Sequence, residues 1–225
     1  MKSDLEKAWE ELESIRRSAS VAKIGGFRPP DDPITSWMVK GVGLQGERAP
    51  TWSGMEMFPL IQVRIDELPV VPQSLDGVAM LVVFMDRSTI PFDKPHGEGW
   101  LIREYASLDG LVPMPAGDVG YRPFPIAWGK VEDDMPGWED AWELVDLTAI
   151  NDDEAASSRF FSEFNRYNGT KFGGYPVEIQ HGAGVGDFVF QIDSDPKSGW
   201  NWAGDGIAHF HRAEGEDWRF SCQMT

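Results

Sequence analysis

The sequence predicts an α+β protein whose mainly antiparallel sheets are built from two duplicated strand-rich units. Three observations carry this prediction: two well-marked helices, short strand-like segments between turn residues, and landmarks that repeat in one order along the chain. One helix is expected at the N-terminus and the other between the two units. A chain of 225 residues can bury a substantial core. We therefore expect a single domain over residues 1–225.

The first predicted helix lies at the N-terminus. Ser3 is placed to cap it, and Glu6 stands three residues later as the second member of a capping box. Apolar side chains recur at helical spacing and make one face hydrophobic. They are Leu5, Ala8, Trp9, Leu12 and Ile15. We expect the helix to fade over residues 19–23, before Gly25-Gly26.

The second predicted helix covers about residues 152–167. Asn151 is a suitable N-cap, and acidic residues fill the first turn, where the helix dipole favours negative charge. Asn168-Gly169 supplies a left-handed stop signal. An apolar stripe runs along the helix at Ala156, Phe160, Phe161, Phe164 and Tyr167. A shorter helix is predicted near residues 138–145.

Short strands are predicted between and after these helices. The segments are rich in β-branched or aromatic residues, and glycine, proline or aspartate bounds them. They are residues 36–42, 57–65, 77–85, 99–105, 123–130, 187–192, 206–211 and 217–222.

The repeat is visible in two glycine-pair segments. KIGGFRPP at residues 23–30 is matched by KFGGYPVE at residues 171–178. Downstream of each, an apolar segment holds a glutamine, and a glycine before a strand follows 15 residues later; these pairs are Gln62 with Gly77 and Gln191 with Gly206. We predict an internal pseudo-repeat over about residues 23–130 and 171–225. The alignment places His209 against Met80 and His211 against Val82.

The charge balance bears on partners. Twenty Lys and Arg residues stand against 37 Asp and Glu residues, which gives a formal net charge of −17. Because nucleic-acid binding needs cationic contacts to phosphate, this balance argues against it. An acidic surface instead favours solubility and cationic partners, such as a basic protein.

The sequence also predicts a location. The longest apolar run, VAMLVVFM, is too short to span a bilayer, so no membrane association is expected. The N-terminal segment lacks the apolar stretch of a signal peptide. The single cysteine, Cys222, has no partner for an internal disulfide. We expect a cytoplasmic, bacterial-type protein.

Several segments resemble the YwqG-like family, a family of bacterial domains without an established reaction. They are KFGGYP, FVFQIDSD, GW followed by W-x-GDGI-x-x-F, and the closing WRFSCQ; FPLIQVRIDELP and GVAMLVVFMD are similar to the first half of that family. The resemblance implies an α+β fold with duplicated sheet units and a soluble bacterial protein. Some members are encoded near toxin systems, which implies an immunity role. The resemblance assigns no site residues.

Two histidines on one predicted strand are candidate metal ligands. Alternation puts His209 and His211 on the same face of the strand. The alternative is that both are structural. Asp193 and Asp195 faintly match a calcium loop, but the position of Lys197 excludes an EF-hand. A turn held by the two aspartates, or a different calcium site that adds Asp205, are the interpretations left.

Trp200 and Trp202, with Asp205, are a candidate sugar-stacking platform, because aromatic faces beside polar groups suit carbohydrates. The alternative is local packing. No catalytic residue and no cofactor are predicted: the chain has no G-x-S-x-G sequence, and Cys222 lies in an apolar strand pattern.

Two functions remain as hypotheses. The first is a non-enzymatic protein-binding module, such as an immunity protein that neutralises a basic toxin or effector. The second is a protein that binds a carbohydrate, another small ligand or a metal, with enzymatic activity left open. Its candidate residues are Asp193, Asp195, Trp200, Trp202, Asp205, His209 and His211.

Overall fold

The structure is a computed structural model that describes residues 2–115, 120–164, 166–180 and 187–224. Within these ranges the helices are α1 (Asp4–Ser14), α2 (Trp138–Leu144), α3 (Thr148–Asn151) and α4 (Glu154–Glu163). The strands are β1 (Arg17–Ile24), β2 (Trp37–Met38), β3 (Val42–Leu44), β4 (Thr51–Trp52), β5 (Met55–Glu56), β6 (Phe58–Arg64), β7 (Met80–Met85), β8 (Trp100–Tyr105), β9 (Leu111–Pro113), β10 (Phe124–Asp134), β11 (Lys171–Gly173), β12 (Phe188–Asp193), β13 (Ile207–His211) and β14 (Arg219–Gln223). The mixed helix and strand content confirms the α+β class. Each of the eight predicted strand segments overlaps a strand.

Ten of the described strands form one antiparallel sheet. Its order is β14-β13-β12-β11-β1-β10-β2-β6-β7-β8. β1 and β10 pair at the centre over most of their length, from Ile24 with Ile126 to Arg17 with Asp134. The strands β2, β6, β7 and β8 lie on one side of this pair and form the first meander. The strands β11, β12, β13 and β14 lie on the other side and form the second meander.

The main core lies between the two meanders. Phe190 stacks on Phe172 and on Phe210, with ring centroids 4.6 Å and 4.4 Å away. Across the core, Trp100 of β8 contacts Phe210 of β13 at 5.9 Å. The sheet therefore curls so that one face of each meander is buried against the other. A second cluster, centred on Leu12 and Phe160, packs the four helices together.

The helix predictions need two corrections. The Ser3–Glu6 capping box is present, but α1 ends at Ser14 and the chain continues directly into β1. The predicted fade over residues 19–23 is wrong, because this segment is hydrogen-bonded to β10 and β11 at the centre of the sheet. The second helix is also shorter than predicted. α4 begins after Asp153, whose side chain accepts a hydrogen bond from Ala156 N and takes the N-cap role expected of Asn151.

The two glycine pairs lie at different places in the sheet. Gly25-Gly26 follows β1 in the central pair, whereas Gly173-Gly174 lies at the end of β11 in the second meander. All four residues have positive φ, between 59° and 79°. Their shared sequence therefore corresponds to a shared backbone conformation rather than to a shared place in the sheet.

The two glutamines do have matching surroundings. Gln62 pairs with Trp37 of β2, and its amide donates to Thr35 O, two residues earlier. Gln191 pairs with Lys171 of β11, and its amide donates to Gly169 O, again two residues earlier. On the other side, Gln62 pairs with Val82 and Gln191 with His209. In sheet position relative to these glutamines, His209 therefore matches Val82, whereas the sequence alignment placed it against Met80.

No helix in the described ranges is long and apolar enough to cross a membrane.

Candidate functional site

The seven residues singled out from the sequence lie at the end of β12, in the connection between β12 and β13, and on β13 itself. They are Asp193, Asp195, Trp200, Trp202, Asp205, His209 and His211. These residues are close in sequence, but the fold separates their side chains. Some lie in the main core, some in the turn, and some on the face of β13 that points away from the main core.

The two tryptophans are part of the main core. Trp200 contacts Phe58 of β6 at 5.6 Å and Tyr121 at 5.3 Å. Trp202 has no exposed surface and packs edge-on against Trp200. Because both rings are covered by other side chains, neither offers a free face on which a sugar could stack. Local packing, the alternative interpretation, describes both.

The three aspartates stabilise the turn. Asp195 Oδ2 accepts a hydrogen bond from Ser198 N at 2.7 Å, and Asp193 Oδ1 accepts one from Ser194 N at 2.8 Å. Asp205 Oδ1 accepts one from the side chain of Asn201. Burial, helped by the neighbouring Asp205 and Asp195 carboxylates, raises the pKa of Asp193. These bonds are the ones expected of an aspartate-rich turn.

The two histidines share one face of β13, as alternation predicts. Their ring centroids are 6.4 Å apart, and Phe188 packs against both. His209 is fully buried, and its Nε2 lies 2.9 Å from Val177 O. Burial lowers the pKa of His209 to about 4, and the nearby His211 and Lys171 add repulsion. His209 is therefore neutral at physiological pH and donates from Nε2.

Metal binding finds no geometric support in the part of the chain that the structure describes. No group of three or more His, Cys, Asp or Glu side chains there is arranged to hold an ion. The Cys222 thiol is half-buried, and burial raises its pKa to about 12, so it is held as a thiol rather than as a reactive thiolate.

A different surface, on α2 and α4, exposes large aromatic side chains. Phe161 is 65% exposed and Trp142 is 39% exposed. Both contact Trp138, with ring centroids 5.4 Å and 6.0 Å away. The stripe predicted for the second helix is therefore wrong at Phe161, which points away from the core while Phe160 and Phe164 pack inward. Exposed aromatic groups of this size are typical of binding surfaces.

Carboxylates border these aromatic groups. A groove of about 160 Å³ beside Trp138 and Phe161 shares Glu139 and Arg166 with a more polar groove of about 240 Å³. The polar groove also holds Asp140 and Glu178. We call the surface formed by Trp138, Trp142, Phe161, Glu139 and Glu143 the aromatic–acidic face.

The pKa of Asp140, which lies beside this face, reflects the negative charge around it. Burial, with repulsion from Glu178, Glu143 and Glu139, raises the pKa of Asp140 to about 6. Among the described lining residues, Arg166 is the cation that both grooves share, and the carboxylates of the two grooves are those of Glu139, Asp140 and Glu178. The local potential is therefore negative and would favour a cation near Asp140.

The sequence alone does not reveal this face, although its residues carry a signal. Trp138 and Trp142 are four residues apart in a short helix with Glu139 and Glu143 beside them. That spacing shows which side chains are neighbours, but it does not show whether a further element covers them.

No protein-family model matches the sequence, and no curated protein matches it either. The resemblance to the YwqG-like family therefore stays a prediction.

Proposed function

We propose that the protein is a non-enzymatic protein-binding module that uses the aromatic–acidic face to hold a basic segment of its partner. The observation that carries the proposal is the exposure of Phe161 and Trp142 beside a cluster of carboxylates. A partner segment with an apolar anchor and flanking Lys or Arg residues would fit this combination.

The aromatic side chains and the carboxylates of the face would contribute to binding in different ways. Trp142 and Phe161 offer apolar area that leaves water on binding, and large aromatic side chains often carry most of an interface energy. The Glu139 and Glu143 carboxylates of the face, together with Glu178, repel the adjacent Asp140 carboxylate in the free protein. A cationic partner would relieve this repulsion, which adds to affinity and, through the net charge of −17, to the association rate.

The resemblance to the YwqG-like family refines the proposal to an immunity protein. In this version the partner is a basic toxin or effector encoded beside the chain, and binding occurs in the bacterial cytoplasm. The acidic composition and the lone cysteine support this version.

We also propose that the two meanders arose by duplication of one unit. Matching hydrogen bonds support this: Arg64 N donates to Ser36 Oγ at 3.0 Å, and Asp193 N donates to Thr170 Oγ1 at 3.1 Å. Each of these bonds lies two residues beyond the glutamine of its meander, Gln62 or Gln191. In this proposal, the polar His209 and the aromatic–acidic face are additions to the common unit.

The test is quantitative binding of basic proteins encoded beside the chain, measured by calorimetry at low and at physiological salt. A double variant, Trp142→Ala with Phe161→Ala, should weaken binding at least tenfold. Phe92→Ala, which removes another partly exposed aromatic side chain, is the matched control and should bind as the wild type does. Equal affinity of all three proteins, or no basic partner even at low salt, would refute the proposal.

A further inference from the structure

A second concave site lies on the first meander, away from the aromatic–acidic face. It is a pocket of about 320 Å³ whose floor and walls are mainly apolar. Its described apolar lining includes Val39, Met57, Phe58, Pro59, Met114 and Tyr121. Phe58 is fully buried and packs on Tyr121 at 5.3 Å, so the inner end of the pocket is continuous with the main core. The volume is at the lower end of the range for small-molecule sites.

Val39 gives the pocket an unusual feature. Its φ is +57°, a left-handed conformation that is an outlier for a β-branched residue. Val39 stands two residues after Trp37, and the corresponding position of the second meander, two residues after Lys171, is Gly173 with φ of +72°. Glycine therefore serves this backbone conformation in one meander, while the first meander keeps a branched side chain that lines the pocket.

The charged groups around the pocket favour an anion. Glu47 is already engaged: its carboxylate accepts from Tyr105 OH at 2.9 Å and lies 3.2 Å from Arg103 Nη1. Arg87 donates a hydrogen bond from Nε to Glu56 O. Within the part of the chain that the structure describes, its two terminal nitrogens have no acceptor and can bind a ligand. The Arg48 guanidinium has no described partner, and only its backbone carbonyl is used, by Arg103.

Two available guanidinium groups at one apolar pocket stand out in a protein with a net charge of −17. Of the two glutamates in the described lining, Glu47 is already paired and Glu56 is not. The two available arginines therefore outnumber the one unpaired carboxylate. Guanidinium groups form paired, charge-assisted hydrogen bonds with carboxylates. We propose that this pocket binds a small organic acid, with its apolar body against Phe58 and Val39 and its carboxylate at Arg48 and Arg87.

Methionine methyl resonances test the proposal directly, because Met57 and Met114 line the pocket while Met135 lies in the helical cluster. The probes are octanoate and 3-phenylpropanoate, each compared with its alcohol and its amine. We expect the two acids to shift the Met57 and Met114 methyl signals and to leave Met135 unchanged. The alcohols should bind at least tenfold more weakly, and the amines should not bind.

Variants separate recognition of the carboxylate from simple burial of an apolar chain. Arg48→Gln with Arg87→Gln should weaken binding of both acids at least tenfold and leave binding of the alcohols unchanged. Arg28→Gln, at an exposed arginine outside the pocket, is the control and should bind as the wild type does. The proposal is overturned if neither acid shifts Met57 and Met114, or if acids and alcohols bind alike in all the proteins.

Discussion

Asp134 and Lys171 form an ion pair of 2.7 Å in which neither side chain is exposed to solvent. Asp134 ends β10 at the centre of the sheet, and Lys171 begins β11 in the second meander. The same carboxylate accepts hydrogen bonds from the backbone of Tyr167 and of Tyr175. One buried carboxylate thus holds three points of the chain around the start of the second meander.

Removing the lysine should destabilise the fold strongly, because it leaves a buried carboxylate without its counter-charge. For Lys171→Met we expect a loss of about 3–5 kcal/mol in the free energy of unfolding, measured by urea denaturation. Lys130→Met removes an exposed ion pair with Glu132 and should cost less than about 1 kcal/mol. Similar losses in the two variants would contradict the structural role of the buried pair.

The close approach of Asp134 explains the second glycine pair. A Cβ placed on Gly174 would lie 2.1 Å from Asp134 Oδ2 and 3.0 Å from the Ala19 side chain, and φ is +70°. Gly26 has a similar φ of +79° but open space where a Cβ would be. We expect Gly174→Ala to cost more than about 3 kcal/mol and Gly26→Ala about 1 kcal/mol, because only the first adds a clash to backbone strain. Thermal unfolding of both variants measures the difference, and equal costs would contradict it.

His209 should make the protein sensitive to acid. Its pKa is lowered to about 4 in the folded protein, whereas an unfolded histidine titrates near 6.5. The unfolded chain therefore binds the proton first, and stability present above pH 6.5 is lost as the pH falls towards 4. The loss should reach roughly 3 kcal/mol at this one site.

Replacement of the histidine by the residue of the corresponding position tests this. His209→Val should remove that part of the pH dependence, measured by urea denaturation from pH 7 to pH 4. In the wild type, the imidazole signals of His209 should not titrate above pH 5. An unchanged acid dependence in the variant would show that another group is responsible.

Asp140 should make the protein less stable as the pH rises, which is the opposite of the effect of His209. Its pKa is raised to about 6, so the folded protein binds this proton more tightly than the unfolded chain does. Its stabilising effect is present below about pH 4 and is lost as the pH rises through 6. Asp140→Asn should therefore stabilise the protein by about 1 kcal/mol at pH 8 and have little effect at pH 3.5.

A nearby aspartate provides the control for this prediction. Hydrogen bonds from the side chain and then the backbone N–H of Thr148 to the Asp146 carboxylate lower the pKa of Asp146. Asp146→Asn should consequently destabilise the protein at pH 8. If Asp140→Asn fails to raise the melting temperature at pH 8, or lowers it as Asp146→Asn does, the repulsion described for Asp140 is not present.

Local sequence signals predicted much of the fold. The capping box at Ser3 and Glu6 and the apolar segment that forms β7 need no distant partner to be recognised. β1 was missed because its sequence, RSASVAKI, has little strand character, and its extended form depends on pairing with β10 over a hundred residues away. At such positions, pairing with distant strands decides the conformation rather than the intrinsic strand propensity of the residues.

The site was harder to predict for a related reason. Trp202 and Phe161 are both large aromatic residues in plausible positions, yet Trp202 is fully buried and Phe161 is mostly exposed. Only the curl of the sheet and the packing of α4 decide between them. Alternation did predict that His209 and His211 share a face, but not that the chain near Val177 covers it.

The central place of β1 has a consequence for the order in which the chain can fold. During synthesis β1 emerges early, but its main neighbour, β10, follows about a hundred residues later, and β11 later still. Until then β1 lacks a strand partner on both edges. Pairing between strands so far apart in sequence slows folding, and it prolongs the time during which unpaired, aggregation-prone strand edges are exposed. A nascent chain stalled before β10 should therefore depend on chaperones, even though the first meander is already complete.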